Sequence, residues 1–322
     1  MDNDKVTNSI LGGDLLALAR AITLVESQRK DHRIEAMSLV SKLHNPQKET
    51  LRLGITGIPG VGKSTFIEQL GLHIANQGLK VAVLAIDPSS WKSAGSILGD
   101  KTRMEELSKH PNVFIRPSPS GGTLGGVAAR TRESMILCEA AGFDVIIIET
   151  VGVGQSETEV INITDTFLML AMPGTGDELQ GIKRGIMETA DLIVINKADG
   201  DNLQNAQKAK KQIEMALHLF PASDSGWTPK VLLASALLNE GIKICWETIQ
   251  QRQRIVQENG WLDTNRILQQ KRAFHKLNEV LIYDRISDQL GKNDSIHSME
   301  EKIQNGEINE FEATLQIAKA LA

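Results

Sequence analysis

The segment Gly57-Ile58-Pro59-Gly60-Val61-Gly62-Lys63-Ser64-Thr65 fills every fixed position of the phosphate-cradling pattern G-x-x-x-x-G-K-[ST]. A strand-like run, Leu51 to Thr56, leads into it, and a helix-like run, Thr65 to Ala75, leads out. Glycines at these positions let backbone N–H groups turn inward onto a polyphosphate, and the following helix N-terminus adds positive dipole. In such a loop Lys63 reaches the terminal phosphates and the Ser64 hydroxyl ligates Mg²⁺. A glycine turn ahead of a helix would share the residues without the strand before it. The chain is expected to bind a nucleoside triphosphate here.

The surrounding pattern fits that loop. Residues 51–250 alternate short β-branched runs with helical spacing. Seven strands are predicted: Leu51–Thr56, Val81–Ile86, Val113–Arg116, Val145–Glu149, Thr166–Ala171, Leu192–Asn196 and Val231–Ala234. Near-continuous apolar strands separated by helices imply a mostly parallel sheet covered on both faces, with ligands bound beyond the carboxyl ends of the strands. The fold class expected is α/β, a P-loop NTPase with helical extensions at both ends. Asp14 reads as a helix N-cap after Gly12-Gly13. The sets Leu15, Leu18, Ile22, Val25 and Ile34, Met37, Val40, Leu43 predict two amphipathic helices over 14–44. From Trp261 onward strand signals stop. Ile267, Phe274, Leu277 and Leu281 fit one helical face, Ile282, Ile286 and Leu290 another, and a last helix follows the turn at Asn305-Gly306. The division expected is a helical extension over 1–50, a nucleotide-binding domain over 51–255 and a helical arm over 256–322.

Composition excludes several classes. A formal net charge of −5 offers no global basic field for nucleic acid. Cys138 and Cys245 are the only cysteines and are remote in sequence, which predicts reduced, buried thiols. The histidines are dispersed, so no transition-metal cluster is expected. The polar opening Met1-Asp2-Asn3-Asp4 and the short apolar runs predict a soluble, cytoplasmic protein without nucleic-acid or membrane partners.

Asn196-Lys197-Ala198-Asp199, directly after a predicted strand, matches N-K-x-D. A carboxylate at Asp199 can accept from both N1–H and the 2-amino group of guanine, a pair that adenine does not offer. Asn196 braces the loop and the Lys197 stem can lie across the base. Ser235-Ala236-Leu237 follows the next strand, where a backbone amide would meet guanine O6. A solvated turn capped by Asp199 has the same local sequence, but the place of the motif late in the sheet favours guanine. Glu149 ends a strand and leads into Thr150-Val151-Gly152. A carboxylate there orients the Mg²⁺ shell, and the Gly152 N–H meets the γ-phosphate. Asp87, heading Asp87-Pro88-Ser89-Ser90, can reach the metal's waters or the attacking one, or can serve as a turn residue. Asp100 lies on a glycine-flanked stretch and reads by itself as a surface residue.

Taken together, Gly57–Thr65, Asp87–Ser90, Arg116–Pro119 with the glycine-rich 121–126 stretch, Glu149–Glu157 and Asn196–Asp201 closely resemble the MeaB/ArgK GTPases. The resemblance spans about residues 10–290, with the motifs in order. It implies a G-protein chaperone of an adenosylcobalamin-dependent acyl-CoA mutase, typically methylmalonyl-CoA mutase, in which GTP hydrolysis gates cofactor loading. It implies a C-terminal helical dimerisation arm and a homodimer, with no tightly held cobalamin on the chain alone. Carried over by motif, Lys63, Ser64, Asp87, Asp100 and Glu149 form the phosphate, Mg²⁺ and hydrolytic centre. Pro173–Lys183 looks like the family's extra switch loop, in which Lys183 would swing toward the nucleotide when the mutase docks; its local sequence reads equally as the start of a solvated helix. Glu149 departs from the Asp that most GTPases carry at this place.

Three other readings stand beside it. A P-loop kinase would need an acceptor pocket and lid arginines, with Arg184, Arg130 or Arg132 on offer, and the guanine signature opposes it. A metal-insertion GTPase would need ligand clusters. A scaffold that binds GTP only for stability would not hydrolyse it.

Overall fold

The computed structural model describes residues 3–27, 29–45, 48–87, 104–119, 124–150, 156–173, 184–291 and 295–321. All seven predicted strands are present: β1 (Leu51–Gly57), β2 (Val81–Asp87), β3 (Val113–Pro119), β4 (Val145–Thr150), β5 (Thr166–Ala171), β6 (Leu192–Ile195) and β7 (Lys230–Leu233). They form one sheet in the order β3-β2-β4-β1-β5-β6-β7, and every ladder is parallel. Every residue of β1, β4, β5 and β6 is buried, as strands covered on both faces require.

The pleat sorts side chains into two cores. Leu53, Ile55, Val83, Ile147 and Leu168 point to one face. There they meet α4 (Lys63–Ala75), with its buried Phe66, Ile67, Leu70 and Ile74. Ala82, Leu84, Ile146, Ile148 and Met169 point to the other, where Met135, Ile136 and Cys138 come from a helix over Leu124–Ala140. Each fully buried side chain of this size stabilises by about 1.5–3 kcal/mol relative to exposure.

Three helices precede the sheet: α1 (Asn3–Leu11), α2 (Leu15–Glu26) and α3 (Lys30–Leu43). Asp14 caps α2 as expected, its Oδ1 accepting from the N–H groups of Leu16 at 2.8 Å and Ala17 at 3.1 Å. The expected faces need correction. Leu15 is 44% and Ile34 75% exposed, while Ala21 and then Ala36 and Leu39 are buried in their place. The buried side therefore includes small residues, Ala21 and Ala36, that a search for large apolar ones overlooks, and α1 extends the helical region before residue 14.

Further helices along the chain are α5 (Glu105–Lys109), α6 (Leu124–Ala140), α7 (Ser156–Ile161), α8 (Arg184–Thr189), α9 (Leu203–Leu217), α10 (Ile242–Glu258), α11 (Trp261–Gly291), α12 (Ser295–Gln304) and α13 (Glu310–Leu321). α6 takes up the last three residues of the glycine-rich 121–126 stretch. The chain divides into two compact units, Met1–Gln269 and Gln270–Ala322. In the second unit Asn309 caps α13, accepting from the N–H groups of Phe311 at 3.0 Å and Glu312 at 2.9 Å. Cys138 and Cys245 are free and buried, as predicted. Among the described residues no helix is long and apolar enough to cross a membrane.

Candidate functional site

The loop Gly57–Gly62 leaves the tip of β1, the strand at the centre of the sheet order, and opens α4. Its glycines are dictated by geometry. Gly62 is the N-cap of α4 in the left-handed region at φ +91°, and a Cβ there would lie 2.7 Å from Asn196 Nδ2. A Cβ on Gly57 would lie 2.7 Å from the Leu170 carbonyl oxygen. No side chain caps α4, whose first helical bond runs from Phe66 N–H to Gly62 O at 2.9 Å. The N–H groups of Lys63, Ser64 and Thr65 are thus the helix's orphan donors, which makes this end an anion site. The Lys63 ammonium folds back on the loop, donating to the carbonyls of Gly57 at 2.6 Å and Ile58 at 3.4 Å. Val61 is buried and Pro59 and Gly60 are exposed.

The second motif is built against the first. Asn196, just past β6, is buried. Its Nδ2 donates to Val61 O at 2.8 Å and its Oδ1 accepts from Ala236 N–H at 3.0 Å. One side chain therefore ties the phosphate loop to the loop after β7. Lys197 stands exposed in the left-handed region at φ +60°. The Ser235 hydroxyl donates to Asp199 Oδ2 in a short hydrogen bond and accepts from Leu238 N–H at 3.2 Å. Ala198 N–H donates to Ala234 O at 3.0 Å, joining the two loops again through backbone. The Ser235 hydroxyl thus holds one carboxylate oxygen of Asp199. Leu237 is 80% exposed beside the buried Ser235 and Ala236.

Glu149 lies at the end of β4, 4% exposed, in register with Ile55 of β1 and Ala85 of β2. Ile55 belongs to the core on the α4 side, so the carboxylate falls on the face from which the phosphate loop's helix rises. Ser64 and Glu149 are oxygen donors, the set a hard cation such as Mg²⁺ takes. Asp87 ends β2, with backbone in register with Pro119. Asp100, Gly152, Lys183 and the 121–123 part of the glycine-rich stretch lie outside the described residues. Among the described residues no cluster of three or more metal-ligating side chains occurs.

Sequence reasoning missed the buried ion network at the opposite, N-terminal ends of β5 and β6. Asp165, just before β5, takes a two-pronged contact from Arg266 at 3.1 and 2.7 Å. Its carbonyl accepts from Arg252 at 2.7 Å, and Arg252 also pairs with Asp191 at 2.9 Å. The partners are 61 to 101 positions apart in sequence, so spacing carries no trace of them.

Comparison with known proteins agrees with this geometry. The family described as "Methylmalonyl Co-A mutase-associated GTPase MeaB" matches residues 18–291. A relative in Escherichia coli named "GTPase ArgK" is 54% identical over 237 residues, covering 74% of this chain and 72% of its own. A mouse relative named "Methylmalonic aciduria type A homolog, mitochondrial" is 42% identical and covers 98% of this chain and 79% of its own. A solved structure titled as a LAO/AO transport system kinase superposes with a TM-score of 0.76 at 37% identity, covering 99% of this chain and 97% of that one. With its phosphate loop and guanine-type loops joined through Asn196, the chain belongs to the MeaB family of methylmalonyl-CoA mutase-associated GTPases.

Proposed function

We propose that the chain binds GTP across the tips of β1, β4, β6 and β7, hydrolyses it, and serves as a chaperone to an adenosylcobalamin-dependent acyl-CoA mutase of the methylmalonyl type. The observation that carries this reading is the Asn196 bridge, which fixes a phosphate-binding loop and a guanine-type loop in one rigid frame. The N–H groups of Gly60 to Thr65 and the Lys63 ammonium would hold the phosphates. Asp199, with Asn196, Lys197, Ser235, Ala236 and Leu237, would hold the base. Ser64 and Glu149, joined by Asp87 and Asp100, would hold Mg²⁺, which when bound neutralises charge on the phosphates. Glu149 would orient the attacking water, and Gly152 would meet the γ-phosphate.

Phosphoryl transfer is catalysed mainly by positioning and charge stabilisation, so a cation supplied on demand can govern its rate. In this reading Lys183 is that cation, delivered when the mutase docks. The partition into 1–50, 51–255 and 256–322 and a homodimer formed through the last of these are part of the same proposal. The exposure of Phe274, Leu281, Ile282, Phe311 and Leu315 supports the homodimer. A cytoplasmic location is proposed with it.

The test is phosphate release from GTP by the full chain, with and without a cobalamin-loaded methylmalonyl-type mutase. Slow release that the mutase accelerates, and that Lys183→Ala renders insensitive to the mutase, is the expected result. No stimulation by any acyl-CoA mutase would refute the chaperone role. The kinase title of the solved relative favours a second reading, in which phosphate passes to an acceptor. Release of inorganic phosphate from GTP without an acceptor excludes it.

A further inference from the structure

β1 and β4 part company at their tips. Their ladder ends at Ile55↔Glu149. Beyond it β1 stays with β5, as far as Gly57↔Leu170, while β4 stays with β2, as far as Ile86↔Thr150. The sheet therefore splits at the strand pair from which the phosphate loop and the Glu149 segment emerge, and parallel α/β sheets bind ligands in such a crevice.

A side-chain hydrogen bond crosses the split one step past the last ladder pair. The Thr150 hydroxyl donates to the Thr56 hydroxyl at 2.9 Å. Thr56 is 1% and Thr150 0% exposed. Both belong to the pleat face opposite Ile55 and Glu149, so the bond lies under the crevice rather than within it. Thr56 immediately precedes Gly57, whose carbonyl receives the Lys63 ammonium, and Thr150 immediately follows Glu149. Inside a protein such a bond is strong, because water does not compete for either hydroxyl.

We infer that Thr150 and Thr56 are positioning residues for the proposed GTPase reaction, a side-chain rung that sets the distance between Glu149 and the phosphate loop where the backbone ladder has ended. The inference rests on the functional reading above. Neither threonine touches the nucleotide in it. The pair acts by fixing how far the crevice opens, and misplacement of an active-site group by about 1 Å can cost roughly a hundredfold in rate.

The experiment compares Thr150→Val, which keeps the shape and removes the donor, with Thr150→Ser, which keeps the donor. For each, GTP turnover and GDP affinity are measured on the full chain, and folding is followed by thermal melting. Thr150→Val is expected to lower kcat by roughly tenfold or more with KM and GDP affinity within about twofold of wild type, and Thr150→Ser to restore most of the rate. Wild-type turnover in Thr150→Val overturns the inference. So does a parallel loss of GDP affinity and kcat in both variants, which would mark a structural role only. A wild-type chain that releases no phosphate from GTP, alone or with the mutase, overturns the functional reading and this inference with it.

Discussion

The side-chain amide of Asn196 and the carbonyl of Val61, 135 positions apart in sequence, are joined by a hydrogen bond of 2.8 Å inside the protein. It joins the loop that would recognise the base to the loop that would hold the phosphates. Replacing Asn196 with Ala leaves Val61 O and Ala236 N–H buried and unpaired, at roughly 1–3 kcal/mol for each group. A lower melting temperature and a loss of GDP affinity of at least roughly tenfold should appear together in thermal denaturation and calorimetry.

Gly62 and Gly60 separate two effects of a methyl group. Both have positive φ, but a Cβ on Gly62 meets Asn196 Nδ2 at 2.7 Å, while a Cβ on Gly60 meets nothing within 4 Å. Gly60→Ala should carry only the left-handed backbone cost of about 1–2 kcal/mol. Gly62→Ala should add displacement of Asn196, and so lose markedly more nucleotide affinity. Equal losses in the two variants would contradict the contact.

Asp199 accepts from Ser235 through one oxygen, and in the proposed function its carboxylate meets the N1–H and 2-amino donors of guanine. An Asn in its place brings an amide donor against the guanine 2-amino group, but matches xanthine, whose C2 carries a carbonyl. Asp199→Asn should lower GDP affinity by at least roughly tenfold and raise affinity for xanthosine diphosphate. Competition binding with the two diphosphates measures this.

The His44 Nε2 is buried without a hydrogen-bond partner among the described residues. Burial first, then the charge of Arg132, holds the imidazole below its ordinary pKa of 6.5. The folded chain keeps His44 neutral where the unfolded chain takes up a proton, so acidification through pH 6.5 favours unfolding. The stability is present above that pH and lost as pH falls toward the folded value. His44→Gln should flatten the fall of melting temperature between about pH 7 and 5.

Asp165 and Arg266 form a buried pair in which the carboxylate side chain is 0% and the guanidinium side chain 9% exposed. Asp165→Ala strands that arginine and should cost about 3–5 kcal/mol in urea unfolding, without altering the selectivity for GDP over ADP in protein that remains folded.

The inner strands were readable because they are covered on both faces, which forces Val145–Ile148 or Leu192–Ile195 to be apolar at every position. The phosphate loop and Asn196–Asp199 were readable because their chemistry fixes residue type at short spacing. α1 was not, since Asn3–Leu11 places only Val6 and Ile10 against the core. Nor was Thr150, whose partner is 94 positions away and whose hydroxyl has no sequence period to betray it. The apolar spacing of Ile267, Phe274 and Leu281 reads as a buried face, yet within this chain they are 53%, 63% and 44% exposed.

The most direct measurement is calorimetry of the purified chain with GDP and with ADP in the presence of Mg²⁺. Two loops locked together by Asn196 should give saturable binding of GDP with a preference over ADP of at least roughly a hundredfold. Absence of heat with GDP, or equal affinity for the two diphosphates, would contradict the account.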